Sequence, residues 1–188
     1  MSLTTAIQNL KNEMFSSGIE QEKGLGTELF LFSSTLAPVV NVDLLIIDEK
    51  DRMLLSWRND IQTNSGWHVP GSCIRFRERL EDAIQRCAKE EIGTSVIHSV
   101  EPIKVYEFQW NGYRPKVKDQ RERAHFIALL YACKVPYDYD IERHNLPKNK
   151  PGHLEWFETI PEDFLPIQEC YKKDWNELKR RAKNELDK

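Results

Sequence analysis

The sequence contains few cysteines, and their spacing gives no sign of a disulfide framework. There are four in 188 residues, at positions 73, 87, 133 and 170, and no two of them form a CxxC pair. Small secreted domains that rely on disulfides have a far higher density of cysteine. The sequence therefore predicts a protein of a reduced compartment, and we expect it in the cytoplasm.

Long apolar runs and basic blocks are also missing. No run approaches the roughly 18 apolar residues of a membrane-spanning helix, and the N-terminal residues lack the apolar core of a signal peptide. The net charge is −3, and acidic and basic residues are interspersed along the chain. Neither a membrane nor a nucleic acid is therefore an expected partner, and a phosphate-bearing ligand would have to be held by local chemistry.

What the chain does contain is enough residues for one well-packed domain. Apolar spacing predicts a short helix over residues 4–15, followed by a glycine-rich break and an edge strand over residues 28–32. Two aliphatic runs flank the charged segment 48–52, which predicts a β-hairpin over residues 37–60. Because Asp43 interrupts the first of these runs, it is either a site residue or a satisfied structural hydrogen-bonding group.

Further along the chain, a helix is predicted over residues 80–92, because apolar residues recur at helical intervals and Gly93 can end it. The remaining expected elements are two long strands, a short strand and a final helix, over residues 94–110, 123–135, 154–158 and 166–188. This order predicts an α/β sandwich with helices on both faces of a mixed sheet.

The same order divides the chain into three segments. They are an N-terminal helix and extension (1–34), a central domain (35–165) and a C-terminal helix packed on the same domain (166–188). The terminal helices offer surfaces through which a homodimer could form, and no single residue decides whether it does.

The helix predicted over residues 80–92 carries a carboxylate within its apolar stripe. Projected at about 100° per residue, the stripe consists of Leu80, Ala83, Ile84, Cys87 and Ala88. Glu91 lies among them, and an ionised carboxylate on a buried face is costly unless it is paired or coordinated. Arg86 is placed to pair with Glu90, and a divalent cation such as Mg²⁺ would balance the remaining charge. The alternative is a glutamate solvated where the helix leaves the core.

A tight turn at Pro70-Gly71-Ser72 precedes this helix and brings backbone carbonyls towards its carboxylates. Together these residues resemble the Nudix signature: Gly, five residues, Glu, seven residues, then Arg-Glu-aliphatic-x-Glu-Glu-x-Gly-aliphatic. The matching residues are Glu78, Arg86, Ala88, Glu90, Glu91 and Gly93. Three residues depart from the pattern, namely Ser72, Cys87 and Thr94, which replace Gly, Glu and an aliphatic residue.

The resemblance implies a Nudix-type α/β/α sandwich with a mixed central sheet. It also implies Mg²⁺-dependent cleavage of a nucleoside diphosphate linked to another moiety, with Mn²⁺ as the alternative ion. Glu90 and Glu91 would then be metal ligands, together with the carbonyl of Gly71 or Ser72. Arg86 would orient Glu90 for catalysis. Glu78 would support the loop and the helix.

Over residues 36–157 the chain looks most like the branch of the family that hydrolyses GDP-mannose at the sugar carbon. That branch has an Asp in its first core strand, an Arg at the end of the next strand and a His at the start of a later strand; the matching residues are Asp43, Arg58 and His125. Its members also lack the Glu that Cys87 replaces. The branch uses a histidine of a late loop as general base, and both His144 and His153 are candidates.

Each of the remaining candidates has a structural alternative. Asp43 and Arg58 are predicted to bind substrate, because a buried carboxylate needs partners and a guanidinium can grip a phosphate with two bonds. Trp67 and Trp110 are predicted to stack on a nucleobase, and the alternative for both is packing in the core or at its rim. The alternative for the whole protein is a Nudix-fold nucleotide-binding or regulatory module whose catalysis is impaired by Ser72 and Cys87.

Overall fold

The computed structural model describes residues 1–16, 18, 24–60, 64–109, 125–143 and 146–188. Two helices, α1 (Leu3–Ser16) and α2 (Thr27–Ser34), precede the first strand. The elements that follow are β1 (Val39–Ile46), β2 (Met53–Asp60), β3 (Asn64–His68), β4 (Gly71–Cys73), α3 (Leu80–Ile92), β5 (Ile97–His98), β6 (Lys104–Gln109), β7 (His125–Lys134), β8 (Leu154–Phe157) and α4 (Glu169–Leu186). None of the helices in the described part of the chain is both long and apolar enough to cross a membrane.

The strands form two sheets. The first has the order β4-β1-β7-β5, and β6 pairs with the same strand β7. Within it β1 and β7 run parallel, and the other pairs are antiparallel. The second sheet has the order β3-β2-β8 and is antiparallel throughout. The predicted α/β class with a mixed sheet is confirmed.

Helices cover both faces of the first sheet because successive side chains of a strand point to opposite faces. On β1, Val42 and Leu44 belong to one buried cluster with the apolar stripe of α3. Leu45 belongs to a second cluster, which contains the buried face of α4. That face consists of Tyr171, Trp175, Leu178 and Ala182. The C-terminal helix thus packs on the same core as the strands.

Helix α3 has the bounds that the sequence predicts. Its buried residues are Ala83, Ile84, Cys87, Ala88 and Ile92, which is the predicted stripe continued by one turn, and Leu80 at its start is exposed. Gly93 ends the helix in the left-handed conformation with φ 75°, which a glycine adopts without steric cost. The last turn, which carries Glu90 and Glu91, is therefore held between a packed face and a fixed helix end.

Three local predictions are wrong. Residues 28–32 lie in α2 and form no strand, and hydroxyl groups of Ser33 and Ser34 bond to carbonyls one turn earlier in that helix. Strands β1 and β2 do flank a turn, but they belong to different sheets, and among the described residues their ladder pairing is limited to the antiparallel bridge between Ile47 and Met53. The long strand expected over residues 94–110 is divided into β5 and β6, which pair with different parts of β7.

Candidate active site

One side of α3 is held by the guanidinium group of Arg86. Its Nε and Nη2 atoms donate to the two carboxylate oxygens of Glu78 at 2.6 and 2.9 Å. Nη1 donates to Glu90 at 2.8 Å and to the Ser72 hydroxyl at 3.0 Å, and Nη2 also donates to the Cys73 carbonyl at 2.9 Å. The hydrogen bonds from Arg86 hold the pKa of Glu78 below its ordinary value. Arg86 therefore ties the helix to β4 and to the loop between them.

Glu90 and Glu78 are also bonded to Arg75 in that loop. The Arg75 guanidinium donates to Glu90 at 3.0 Å, and its backbone N–H donates to Glu78 at 2.8 Å. These contacts agree with loop support by Glu78 and orientation of Glu90 by Arg86, which remain predictions as catalytic roles. Each oxygen of Glu90 accepts one hydrogen bond from an arginine, which leaves a second lone pair on each oxygen for a further ligand.

Glu91 has a different environment, although it is the next residue. Its ion-pair contacts are long, 3.9 Å to Arg58 Nη2 and 3.8 Å to His68 Nε2, and 23% of its side chain is exposed. Burial raises the pKa of Glu91, and the charge of Arg58 and the nearby hydroxyl of Ser56 oppose that rise. The carboxylate oxygens of Glu91 can therefore accept a further ligand, such as a metal ion.

His68 lies beneath Glu91, at the end of β3. Its ring is buried, and Nδ1 is 2.7 Å from the carbonyl oxygen of Ser56. Because a carbonyl can only accept, Nδ1 carries the proton, and Nε2 of the neutral ring presents a lone pair. Burial and the charge of Arg58 hold the pKa of His68 well below its ordinary value. Neither His68 Nε2 nor the buried Ser56 hydroxyl has a hydrogen-bond partner in the structure as described.

Asp43 is buried at the edge between β1 and β4. Its Oδ2 accepts from the hydroxyl of Tyr171 on α4 at 2.5 Å, and Oδ1 has no hydrogen-bond partner among the described residues. Gly71 is opposite Asp43 in the strand pair, and a Cβ atom at Gly71 would lie 2.2 Å from Oδ1. Burial raises the pKa of Asp43 to about 7, against lowering effects of Tyr171 and Arg58. Only a glycine allows β4 to approach this carboxylate so closely.

The other predicted residues lie elsewhere or outside the described residues. Trp67 is 7% exposed and packs edge-on against Trp57 and Phe157, which is the core-packing alternative. His153 is buried beside Trp67, with Nδ1 2.6 Å from the Leu146 carbonyl and Nε2 without a partner in the described structure. His144 and Trp110 lie outside the described residues.

Three residues of this region were not singled out by the sequence as site residues: Ser56, His68 and Tyr171. His68 is the residue after Trp67 in β3. Because side chains alternate between the two faces of a strand, a buried Trp67 predicts that His68 points to the opposite face. Ser56 faces it across the strand pair. Tyr171 was predicted only as part of a buried helix face, and no local signal connects it to Asp43.

The donor groups fit an open site for a divalent cation. No three His, Cys, Asp or Glu side chains of the described residues come together closely enough to enclose a metal ion. Hard cations such as Mg²⁺, however, take one or two carboxylates and keep waters and substrate oxygens as further ligands. Glu91 provides such a carboxylate, and α3 packs against β4, whose residues Gly71 and Ser72 provide backbone carbonyls.

Comparisons with known proteins agree with this architecture. A sequence model of the NUDIX domain family matches residues 37–183. The low-salt glycan biosynthesis protein Agl8 of Haloferax volcanii is 41% identical over 59 residues, which are 31% of this chain and only 37% of that protein's length.

Solved structures resemble the fold at low sequence identity. A possible asymmetric diadenosine tetraphosphate hydrolase from Jonesia denitrificans is 22% identical with a TM-score of 0.56, over 78% of this chain and 98% of the other. A MutT protein from Methanosarcina mazei is 17% identical with a TM-score of 0.55, over 75% and 95%. Since the family match includes the whole signature from β4 to Gly93 and covers most of the chain, the protein belongs to the Nudix family of hydrolases.

Proposed function

We propose that the protein hydrolyses a nucleoside diphosphate linked to another moiety, and that Glu91 holds the divalent cation that the reaction needs. The observation that carries this proposal is the contrast within one helical turn. Both oxygens of Glu90 accept hydrogen bonds from arginines, whereas the contacts of Glu91 with Arg58 and His68 are long, at 3.9 and 3.8 Å. A carboxylate that is fixed on a helix, and whose oxygens are not held in short hydrogen bonds to arginines, is suited to bind a ligand.

The surrounding residues have distinct roles in this proposal. The cation, expected to be Mg²⁺ with Mn²⁺ as the alternative, would neutralise charge on the diphosphate and stabilise the leaving group. Glu91 and the carbonyl of Gly71 or Ser72 would hold it. Arg58, whose guanidinium is partly exposed near Glu91, would bind a phosphate oxygen. Arg86 would keep the helix end in position.

The general base would be a histidine or a carboxylate of the segment 144–155. His153 supports this assignment because Nε2 is buried without a hydrogen-bond partner among the described residues, while Nδ1 is fixed by the Leu146 carbonyl. A neutral imidazole held in this way has a lone pair on Nε2 that can accept a proton from water. His144 remains the other candidate.

A nucleotide sugar is the substrate that we place first. Two observations support this choice: Asp43 and Arg58 resemble residues of a sugar-nucleotide branch of the family, and the partial relative Agl8 is named for glycan biosynthesis. Asp43 Oδ1 also has no hydrogen-bond partner among the described residues, which leaves it an unused acceptor.

A substrate panel tests the proposal. Purified protein would be incubated with Mg²⁺ or Mn²⁺ and NDP-sugars, dinucleoside polyphosphates and nucleoside triphosphates, and products would be resolved by chromatography. We expect turnover of at least one NDP-sugar and loss of about 1,000-fold or more of it in Glu91→Gln, which corresponds to about 4 kcal/mol of transition-state stabilisation. Glu49→Gln, at an exposed turn position, is the matched control. A folded wild type that converts no member of the panel contradicts the proposal.

A second candidate function is nucleotide binding without turnover, and Cys87 is the observation that favours it. The signature has a carboxylate at this position, whereas the Cys87 thiol is completely buried. Burial, together with the charges of Glu91 and Asp43, raises the pKa of Cys87 far above its ordinary value, so it stays a neutral thiol. Calorimetry separates the two functions, because tight binding of a nucleotide that is never converted would identify the binding module.

A further inference from the structure

We propose that His68 is a ligand of the cation at Glu91, and that its ring nitrogen gives the site a preference for transition ions such as Co²⁺ or Zn²⁺ over Mg²⁺. This inference rests on the proposed function only in placing a cation at Glu91. It adds a nitrogen ligand from β3, outside the signature helix and outside the turn that precedes it.

The contact between His68 and Glu91 brings two acceptors face to face. Nε2 of His68 is 3.8 Å from Oε2 of Glu91. The proton of the neutral ring is on Nδ1, because Nδ1 faces the Ser56 carbonyl at 2.7 Å, so neither of the two facing atoms donates to the other. A hydrogen bond would need a separation of about 3 Å, whereas two metal–ligand bonds of about 2.1 Å at a tetrahedral angle place their ligand atoms about 3.4 Å apart. A closure of about 0.4 Å from the observed 3.8 Å would therefore let the two atoms share a cation.

Burial makes the nitrogen atom a prepared ligand. The His68 side chain is 3% exposed, and Nε2 has no hydrogen-bond partner in the described part of the chain. A buried polar atom without a partner costs free energy, so its presence beside a partly exposed carboxylate calls for a bound partner. Because the proton lies on Nδ1, which faces the Ser56 carbonyl, Nε2 presents a free lone pair, as a metal-binding imidazole must.

The support of the ring is the kind that metal-binding histidines have. They usually donate their second N–H to a carbonyl or carboxylate, which fixes the tautomer and the ring orientation. In this protein Ser56 provides that carbonyl from the paired strand, at a register fixed by the β2–β3 ladder. Imidazole favours transition ions such as Zn²⁺, Ni²⁺ and Cu²⁺, whereas Mg²⁺ favours oxygen.

The test measures metal binding without any substrate. The metal-free protein would be loaded with Co²⁺ and studied by paramagnetic proton NMR. An imidazole bound through Nε2 keeps its Nδ1 proton, which then gives a strongly shifted resonance that disappears in deuterium oxide. We expect this resonance in the wild type and its loss in His68→Asn, in which the side-chain amide still donates to the Ser56 carbonyl.

His98→Asn is the matched control. The Nδ1 atom of His98 is also bonded to a backbone carbonyl, at 2.8 Å from Ser99, and its Nε2 also faces a glutamate, Glu81, at 3.2 Å. Glu81, however, is exposed and lies on the first turn of α3. The control should keep both the resonance and the affinity of the wild type. In His68→Asn the Co²⁺ affinity should fall about tenfold or more, and the Mg²⁺ affinity should change less than about threefold.

Three outcomes overturn the inference: no shifted resonance in the folded wild type, a resonance that persists in His68→Asn, or an equal loss of Co²⁺ and Mg²⁺ affinity in that variant. If His68→Asn fails to fold, the wild type with isotope-labelled histidine decides the question, because Zn²⁺ should shift the Nε2 signal of His68. The two proposals fail separately. A substrate panel without turnover would contradict the proposed function but not ligation by His68. A wild type that turns over substrate with Mg²⁺ but lacks the resonance would contradict ligation by His68.

Discussion

The two sides of the last turn of α3 differ in how fully their polar groups are satisfied. On one side Arg86 makes hydrogen bonds with Glu78, Glu90, Ser72 and Cys73. On the other side the buried atoms without a hydrogen-bond partner, within the described residues, include Asp43 Oδ1, Ser56 Oγ and His68 Nε2. Native proteins satisfy nearly all buried polar groups. We therefore infer that the Arg86 side is structural and that the side with unsatisfied atoms binds a ligand.

Removing Arg86 should cause the largest loss of stability. In Arg86→Ala the mostly buried carboxylate of Glu78 loses its partner, and the free energy of unfolding should fall by about 3 kcal/mol, the scale for breaking a buried ion pair. Urea denaturation measures the change. Arg180→Ala is the control, because the pair of Arg180 with Glu177 is solvent-exposed on α4; it should leave the unfolding midpoint unchanged. Equal effects of the two variants would mean that the Arg86 network is not a framework.

Filling the space beside Asp43 should come next. In Gly71→Ala the new Cβ atom would lie 2.2 Å from Asp43 Oδ1, so β4 must move away, and we expect a loss of about 2 kcal/mol of stability with a loss of activity. Thermal unfolding and the substrate assay measure both. Gly26→Ala is the matched control, since a Cβ there meets nothing within 4 Å. A Gly71 variant with wild-type activity would show that the close approach of β4 to Asp43 has no role in the site.

Asp43→Asn should change how stability depends on pH. Because burial raises the pKa of Asp43 from 3.8 to about 7, the folded state binds this proton more tightly than the unfolded chain. That stabilisation is complete below pH 3.8 and is lost as the pH rises through about 7. The variant should therefore gain on the wild type by about 4 kcal/mol between these limits, at about 1.4 kcal/mol for each pKa unit. Denaturation of metal-free protein across this range tests it, and parallel pH profiles would contradict it.

Ser72→Gly should have the smallest effect, although it restores the residue of the family signature. Arg86 loses one acceptor, at 3.0 Å, and keeps its hydrogen bonds to Glu78, Glu90 and Cys73. We expect stability within about 0.5 kcal/mol of the wild type and activity within about threefold, measured by the same two assays. A gain of activity far above that range would mean that the Ser72 departure impairs the enzyme.

The sequence was sufficient for features that depend on local spacing. Helix α3 has the predicted bounds because its periodicity is strong and Gly93 ends it. The spacing of the signature also grouped Glu78, Arg86 and Glu90, and in the structure Arg86 donates hydrogen bonds to both glutamates. Pairing between strands was different: β2 followed β1 across a short turn, yet it pairs with β3 and β8. A hairpin signal reports the turn, whereas long-range burial decides the partner of each strand.

Residues on the unsatisfied side were harder to predict for the same reason. His68 becomes part of the site only through the register that sets it opposite Ser56. Tyr171 reaches Asp43 only because α4 packs across the first sheet, 128 positions further along the chain. The short apolar run of residues 28–32 shows the limit of pattern alone, since a helix and a buried strand can have the same composition.

The separation of β1 and β2 into two sheets has a consequence for how the molecule responds to its ligand. Glu91 stands on a helix that packs against β1 and β4, whereas Arg58 and His68 belong to the second sheet. A ligand that contacts both groups therefore joins the two sheets, which the chain also connects between β1 and β2, between β3 and β4, and between β7 and β8. Opening of the fold would then require release of the ligand, and amide hydrogen exchange in both sheets would slow together when the site is filled.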